Sequence, residues 1–88
     1  QNYPNPFNPV TTIHYGLKEP VQVTLEIFNV AGQRVRTLVD EQQAPRAGGF
    51  TVRWDGMNDR GDSVASGVYF YRLRAGTFMQ TRKMALLR

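Results

Sequence analysis

The run Gly67-Val68-Tyr69-Phe70-Tyr71-Arg72-Leu73 constrains the fold more than any other stretch of this sequence. It is rich in aromatic and β-branched side chains and lies between Ala65-Ser66 and Ala75-Gly76, so it reads as a β-strand. Its position near the C-terminal end obliges earlier strands to fold back to meet it. Alternation sets Tyr69, Tyr71 and Leu73 on one face and Val68 and Phe70 on the other. The first set is expected inward, because Arg72 shares the face of Phe70. The run is therefore expected to be a central core strand, holding the strand of Trp54 and the closing hairpin together.

The segments before it repeat the same period. Thr11 to Leu17 alternates with Ile13, Tyr15 and Leu17 on one face. Val21, Val23, Leu25 and Ile27 then alternate with Gln22, Thr24, Glu26 and Phe28, the pattern of a half-buried strand. Phe28 breaks the polar face and reads as a partner-facing or second-layer aromatic. Lys18-Glu19-Pro20 turns the chain between these two strands.

Asn29 to Gln33 is a tight turn in which Gly32 supplies the positive φ. Arg34 to Val39 continues as a strand with Val35 inward. Leu38 and Val39 are adjacent and cannot both obey the alternation, which predicts a bulge or a strand end there. Asp40 to Gly49 is polar, holds Pro45 and the Gly48-Gly49 pair, and reads as a loop. Phe50, Val52 and Trp54 share the core face of the next strand, and Asp55 to Asp62 is a long turn. Ala75-Gly76-Thr77 turns the chain into Phe78 to Leu87, which is expected to be an edge strand. No capped amphipathic helix is present, and six or seven short strands at regular spacing predict an all-β sandwich.

The N-terminal arm is of another kind. Pro4, Pro6 and Pro9 exclude a helix and push Tyr3, Asn5 and Asn8 toward extended geometry. Tyr3 and Phe7 are expected to anchor this arm along a sheet face, in preference to a polyproline ligand.

With 88 residues the chain is one domain, Gln1 to Arg88, and a core this small leaves a thin stability margin. There is no cysteine, so no disulfide supports the fold. The net charge is +4, but the arginines and lysines are spread along the chain and no nucleic-acid motif accompanies them, so nucleic acid is not expected as a partner. No apolar run is long enough to predict a transmembrane segment. The sequence opens on Gln1 without a methionine or a signal-like leader, so it is expected to be excised from a longer secreted protein.

Few residues invite chemistry. Asp55, Asn58, Asp59 and Asp62 offer oxygen ligands, but their spacing departs from a calcium loop and suits turn-forming residues, so no metal is expected. Arg60-Gly61-Asp62 spells an adhesion tripeptide that has an equally good turn explanation. His14, the only histidine, falls out of phase with Ile13 and Tyr15 and has no catalytic companion. No nucleophile motif or phosphate loop occurs, so neither enzymatic activity nor a cofactor is expected.

Several segments taken in order carry a family likeness. Asn2-Tyr3-Pro4-Asn5-Pro6-Phe7-Asn8-Pro9 with Thr11-Thr12-Ile13, the turn Asn29 to Gln33 with Val35, Trp54-Asp55-Gly56, Ser66 to Leu73, and Lys83 closely resemble the type A C-terminal sorting domain of the type IX secretion system. That domain is related to the immunoglobulin-like domain of the flagellar hook-capping protein. The resemblance implies an immunoglobulin-like β-sandwich of about seven antiparallel strands at the C-terminus of a secreted cargo protein of a Gram-negative bacterium. It further implies passage from the periplasm through an outer-membrane translocon to the cell surface, where a sortase-like peptidase removes the domain and the cargo is joined to anionic lipopolysaccharide. The recognition features it implies map onto Pro4, Pro6, Phe7, Asn8, Pro9, Gly32, Gly67, Tyr69 and Lys83.

Physical reasons stand beside that mapping. Gly67 begins a strand where a side chain would hinder a turn or a close backbone approach. An edge strand offers unpaired N–H and C=O groups to a receptor, and Arg82, Lys83 and Arg88 would make that edge positive. The alternative is a structural accessory or carbohydrate-binding module attached to an extracellular enzyme, with exposed aromatics such as Phe28 or Tyr71 as a sugar platform. Hook-cap assembly is a third reading, which would need a hook-capping sequence upstream of Gln1.

Overall fold

Period-2 alternation buries one side of each segment only if a second layer covers it, and that is the architecture found. A computed structural model describes residues 2–6 and 9–88. Its strands are β1 (Asn2–Tyr3), β2 (Thr11–Tyr15), β3 (Val21–Asn29), β4 (Arg34–Gln43), β5 (Phe50–Trp54), β6 (Gly67–Ala75) and β7 (Phe78–Leu86). They form a three-stranded sheet, β1-β2-β5, and a four-stranded sheet, β4-β3-β6-β7, with every pairing antiparallel. No helix occurs among the described residues. The fold is an all-β, immunoglobulin-like sandwich.

The inner faces are those the alternation predicts. Ile13, Tyr15, Phe50 and Trp54 from one sheet meet Val23, Leu25, Ile27, Tyr69, Tyr71, Leu73, Met84 and Leu86 from the other. Tyr15 stacks on Phe50 with ring centroids 5.2 Å apart, and Trp54 meets Tyr69 edge-on at 5.5 Å. Burying each of the large aliphatic side chains stabilises the fold by about 1.5–3 kcal/mol. β6 lies between β3 and β7, as a central strand should. It does not, however, hold the strand of Trp54 by hydrogen bonds: β5 belongs to the other sheet, and the link is the Trp54–Tyr69 ring contact across the core.

Two other expectations need correction. β4 does not end at Val39 but runs to Gln43, which confines the loop to 44–49. Edge strands tolerate polar side chains on exposed faces, so polarity alone read as a loop. The polar residues stay in register, with Gln22 donating to Asp40 Oδ1 at 2.8 Å and Tyr15 Oη donating to Gln43 Oε1 at 2.7 Å. The bulge is where Leu38 and Val39 predict it: Leu25 pairs with Val39 and Glu26 with Thr37, which leaves Leu38 unmatched and lets both apolar residues reach the core.

Tyr3 is not an anchor. It is 80% exposed, because Asn2 pairs with Ile13 and so takes the inward face, leaving Tyr3 opposite Thr12 to point out. The arm is held by a polar cluster. Asn2 Nδ2 donates to Thr11 Oγ1 at 2.9 Å and to the Pro4 carbonyl at 3.1 Å, and Thr11 Oγ1 donates to the same carbonyl at 2.9 Å. Phe7, the other expected anchor, lies outside the described residues.

Candidate functional site

β7 is an outer strand of the four-stranded sheet, and only Met84, Ala85 and Leu86 are drawn out of solvent. From Phe78 to Lys83 the side chains of both faces are exposed. The strand therefore begins with an apolar pair, Phe78 and Met79, and leads to a basic pair, Arg82 and Lys83.

The N-terminal arm closes the far end of this edge. Asn5 Oδ1 accepts the Ala85 N–H at 3.0 Å, and Asn5 Nδ2 donates to the Lys83 carbonyl at 3.4 Å. The carboxamide thus behaves as a single peptide unit added to the ladder. Those two bonds also show which groups face outward, since an antiparallel strand aims alternate residues at one neighbour. Met79, Thr81 and Lys83 present their N–H groups on that side, and none of the three has a hydrogen-bond partner there among the described residues.

The opposite edge, β4, is closed by the 55–62 loop. Asp59 donates its main-chain N–H to the Val35 carbonyl and accepts the Thr37 N–H on Oδ1, both at 3.0 Å. Asp55 pairs with Arg36 at 3.4 Å, and Asn58 Oδ1 accepts the N–H groups of Arg60 and Asp62 at 3.0 Å each. Asp55, Asn58 and Asp59 are thus engaged within the protein, while Asp62 is exposed and its carbonyl accepts the Asn58 N–H at 2.9 Å. Among the described residues no cluster of three acidic, histidine or cysteine side chains suited to a metal is formed. Arg60, Gly61 and Asp62 are the exposed tip of this turn.

Register also organises the outer face of the larger sheet. Phe28, Phe70 and Lys83 lie in one cross-strand row, and Glu26, Arg72 and Thr81 in the next. The guanidinium of Arg72 sits over the half-buried Phe28 ring at 4.5 Å, a cation–π contact on the outer face. Phe28, Phe70, Arg72, Thr81 and Gly32 border a shallow hollow of about 300 Å³. Gly32 has φ +79°, and its N–H donates to the Asn29 carbonyl at 3.0 Å.

The remaining expected residues divide by role. Pro4, Pro6 and Pro9 are exposed, and Pro4 is tied to Thr11 as described; Phe7 and Asn8 lie outside the described residues. Tyr69 points into the core and donates its hydroxyl to the Ala65 carbonyl at 2.7 Å. Gly67 does not permit a close approach: no atom lies within 4 Å of where its Cβ would stand, and what favours glycine is a φ of +155°. The structure therefore brings the arm and Lys83 together, sets Gly32 beside the same outer face, and turns the Tyr69 side chain to the inner face of that sheet.

Arg88 does not add charge to the edge. Its side chain turns onto the 55–66 loop, where Nε donates to the Val64 carbonyl and Nη2 to the Gly56 carbonyl, both at 2.6 Å. Tyr71 is buried, which removes it from a sugar platform. Burial also raises the hydroxyl pKa of Tyr15, Tyr69 and Tyr71 above 10.0, with the Gln43 hydrogen bond partly opposing the rise at Tyr15 and the Arg88 and Arg82 charges opposing it at Tyr69 and Tyr71.

Charge is unevenly distributed along the sequence. Residues 1–62 carry six lysines and arginines against seven acids, whereas residues 63–88 carry five and no acid at all. Those last residues are β6, β7 and their flanks, so scattered charge along the chain becomes an acid-free hairpin in space.

The sequence profile of the FlgD Ig-like domain matches residues 8–77. The chain belongs to the FlgD Ig-like domain family. No curated protein matches it. Among solved structures, this FlgD Ig-like domain is similar to part of PorZ from Porphyromonas gingivalis, described as an essential bacterial surface component of the type IX secretion system. That match covers 100% of the chain at 23% identity with a TM-score of 0.71. It is also similar to part of dimeric latent PorU from the same organism, over 99% of the chain at 19% identity with a TM-score of 0.76. The domain spans 11% of the PorZ chain and 9% of the PorU chain, and at these identities the likeness is one of fold.

Proposed function

We propose that this domain is a non-catalytic C-terminal sorting signal that directs a cargo protein across the outer membrane by the type IX secretion system. The observation that carries the reading is the pairing of a FlgD Ig-like fold, shared with a surface component of that system, with an arm laid on an exposed, acid-free C-terminal strand. On this reading Pro4, Pro6, Phe7, Asn8, Pro9, Gly32 and Lys83 serve recognition by the translocon, while Gly67 and Tyr69 maintain the fold that presents them. The cargo precedes the domain, the location is the cell surface reached through the periplasm, and a sortase-like peptidase acts at the cargo boundary.

A reporter fused ahead of residues 1–88 is expected to appear outside a type IX-competent cell and to stay in the periplasm when residues 79–88 are removed. Intact reporter retained in the periplasm with the whole domain attached would refute the proposal, as would normal export after the truncation.

A further inference from the structure

We infer that the β7 edge from Phe78 to Lys83 takes up an extended segment of a partner protein, added as a strand and carrying acidic residues opposite Arg82 and Lys83. The inference rests on the sorting reading for the partner's role in the cell, though not for the geometry of the edge. Three observations carry it. The N–H groups of Met79, Thr81 and Lys83 face outward from the sheet and have no partner among the described residues. Side chains on both faces of this stretch are exposed, so neither layer of the sandwich blocks an added strand. And Asn5 already occupies the next position along with an amide, which shows that the edge accepts a peptide-like group and marks where it ends.

The chemistry of the occupant follows from the side chains. Six residues of strand extend about 20 Å. Along that length the edge passes from Phe78-Met79 to Arg82-Lys83, with exposed Arg74 on the adjoining strand. A second copy of this chain pairing antiparallel through β7 would set its own basic pair opposite Phe78-Met79 and its apolar pair opposite Arg82-Lys83, with no acid in either hairpin to meet the charges. An antiparallel partner instead needs acids at its N-terminal end and aliphatic side chains at its C-terminal end. The aliphatic end would reach the cleft of about 500 Å³ bordered by Leu17, Val21, Ala75 and Phe78 at the hairpin end of the sandwich.

The edge can be blocked without touching the core. Thr81→Pro deletes an outward N–H and leaves the β6 ladder intact, a position at which an edge strand tolerates proline. The probe is a blocked six-residue peptide of two glutamates, two threonines and two valines in that order, titrated into the isotopically labelled domain. Saturable shifts at the Met79, Thr81 and Lys83 amides are expected. They should weaken at least tenfold for a peptide with lysines in place of the glutamates, and at least tenfold in Thr81→Pro with unchanged thermal midpoint. Shifts that are absent, that lie elsewhere, or that ignore peptide charge would overturn the inference. Binding that follows charge but is indifferent to Thr81→Pro would also overturn it and point to a polyanion surface. In the export assay, reporter carrying Thr81→Pro should remain in the periplasm. Normal export of that variant refutes strand addition while the sorting reading stands, whereas failure of the unaltered domain refutes the sorting reading and leaves the peptide titration to decide the edge.

Discussion

Asn5 and Ala85, eighty residues apart in the chain, are joined by a hydrogen bond of 3.0 Å from the Ala85 N–H to the Asn5 side-chain oxygen. With the second bond to the Lys83 carbonyl, one side chain fastens the N-terminal arm to the last strand.

Asn5→Ala removes both bonds from an exposed site. A loss of about 1 kcal/mol is expected, which for a domain of this size lowers the thermal midpoint by about 4–8 °C. Hydrogen exchange at the Ala85 amide should accelerate while exchange at buried Met84 follows global stability alone. An unchanged Ala85 exchange rate would show that the latch does not hold in solution.

At the opposite edge, Asp59→Ala strips the Thr37 N–H of its acceptor and also removes the carboxylate near Arg34 and Arg36. These groups are exposed, so the expected cost is about 0.5–1.5 kcal/mol, most of it from the hydrogen bond. Asp59→Asn keeps an acceptor and should cost less than half as much by urea titration. The alanine variant should also aggregate faster, because it uncovers part of β4. Equal stability of the two variants would contradict this account.

Trp54 is fully buried, meets Tyr69 edge-on and donates its indole N–H to the Met57 carbonyl at 2.9 Å. Trp54→Ala is expected to cost about 3–5 kcal/mol, a large part of the roughly 5–13 kcal/mol that a chain this long commands. Trp54→Phe should fold, at a cost of about 1–3 kcal/mol, because it keeps an aromatic against Tyr69 and forfeits the hydrogen bond. Far-ultraviolet circular dichroism in urea checks both.

Alkaline stability should be set by three tyrosines. Burial raises the pKa of Tyr15, Tyr69 and Tyr71 above 10.0, so the folded state holds these protons more tightly than the unfolded chain. The contribution is fully present below pH 10 and is lost as pH rises through the folded values. The urea midpoint should therefore fall above about pH 10, and Tyr71→Phe should make the fall shallower. A midpoint indifferent to pH between 10 and 11.5 would refute the assignment.

Alternation is local, so the order of residues sets the faces of the longer strands: Tyr69, Tyr71 and Leu73 had to share a side, and the adjacency of Leu38 and Val39 had to break one. The same order determines that Gly32 closes a tight turn. Which polar groups meet depends on how the sheets come together. Asn5 at the Ala85 edge, Asp59 at the Thr37 edge and Arg88 on the Val64 and Gly56 carbonyls are contacts between segments distant in the chain. Single polar atoms make them, and such atoms leave no period in the sequence. Alternation likewise does not reach Tyr3 or the last residues of β4. A two-residue strand has no alternation to read, and an edge strand is polar because one of its sides is water.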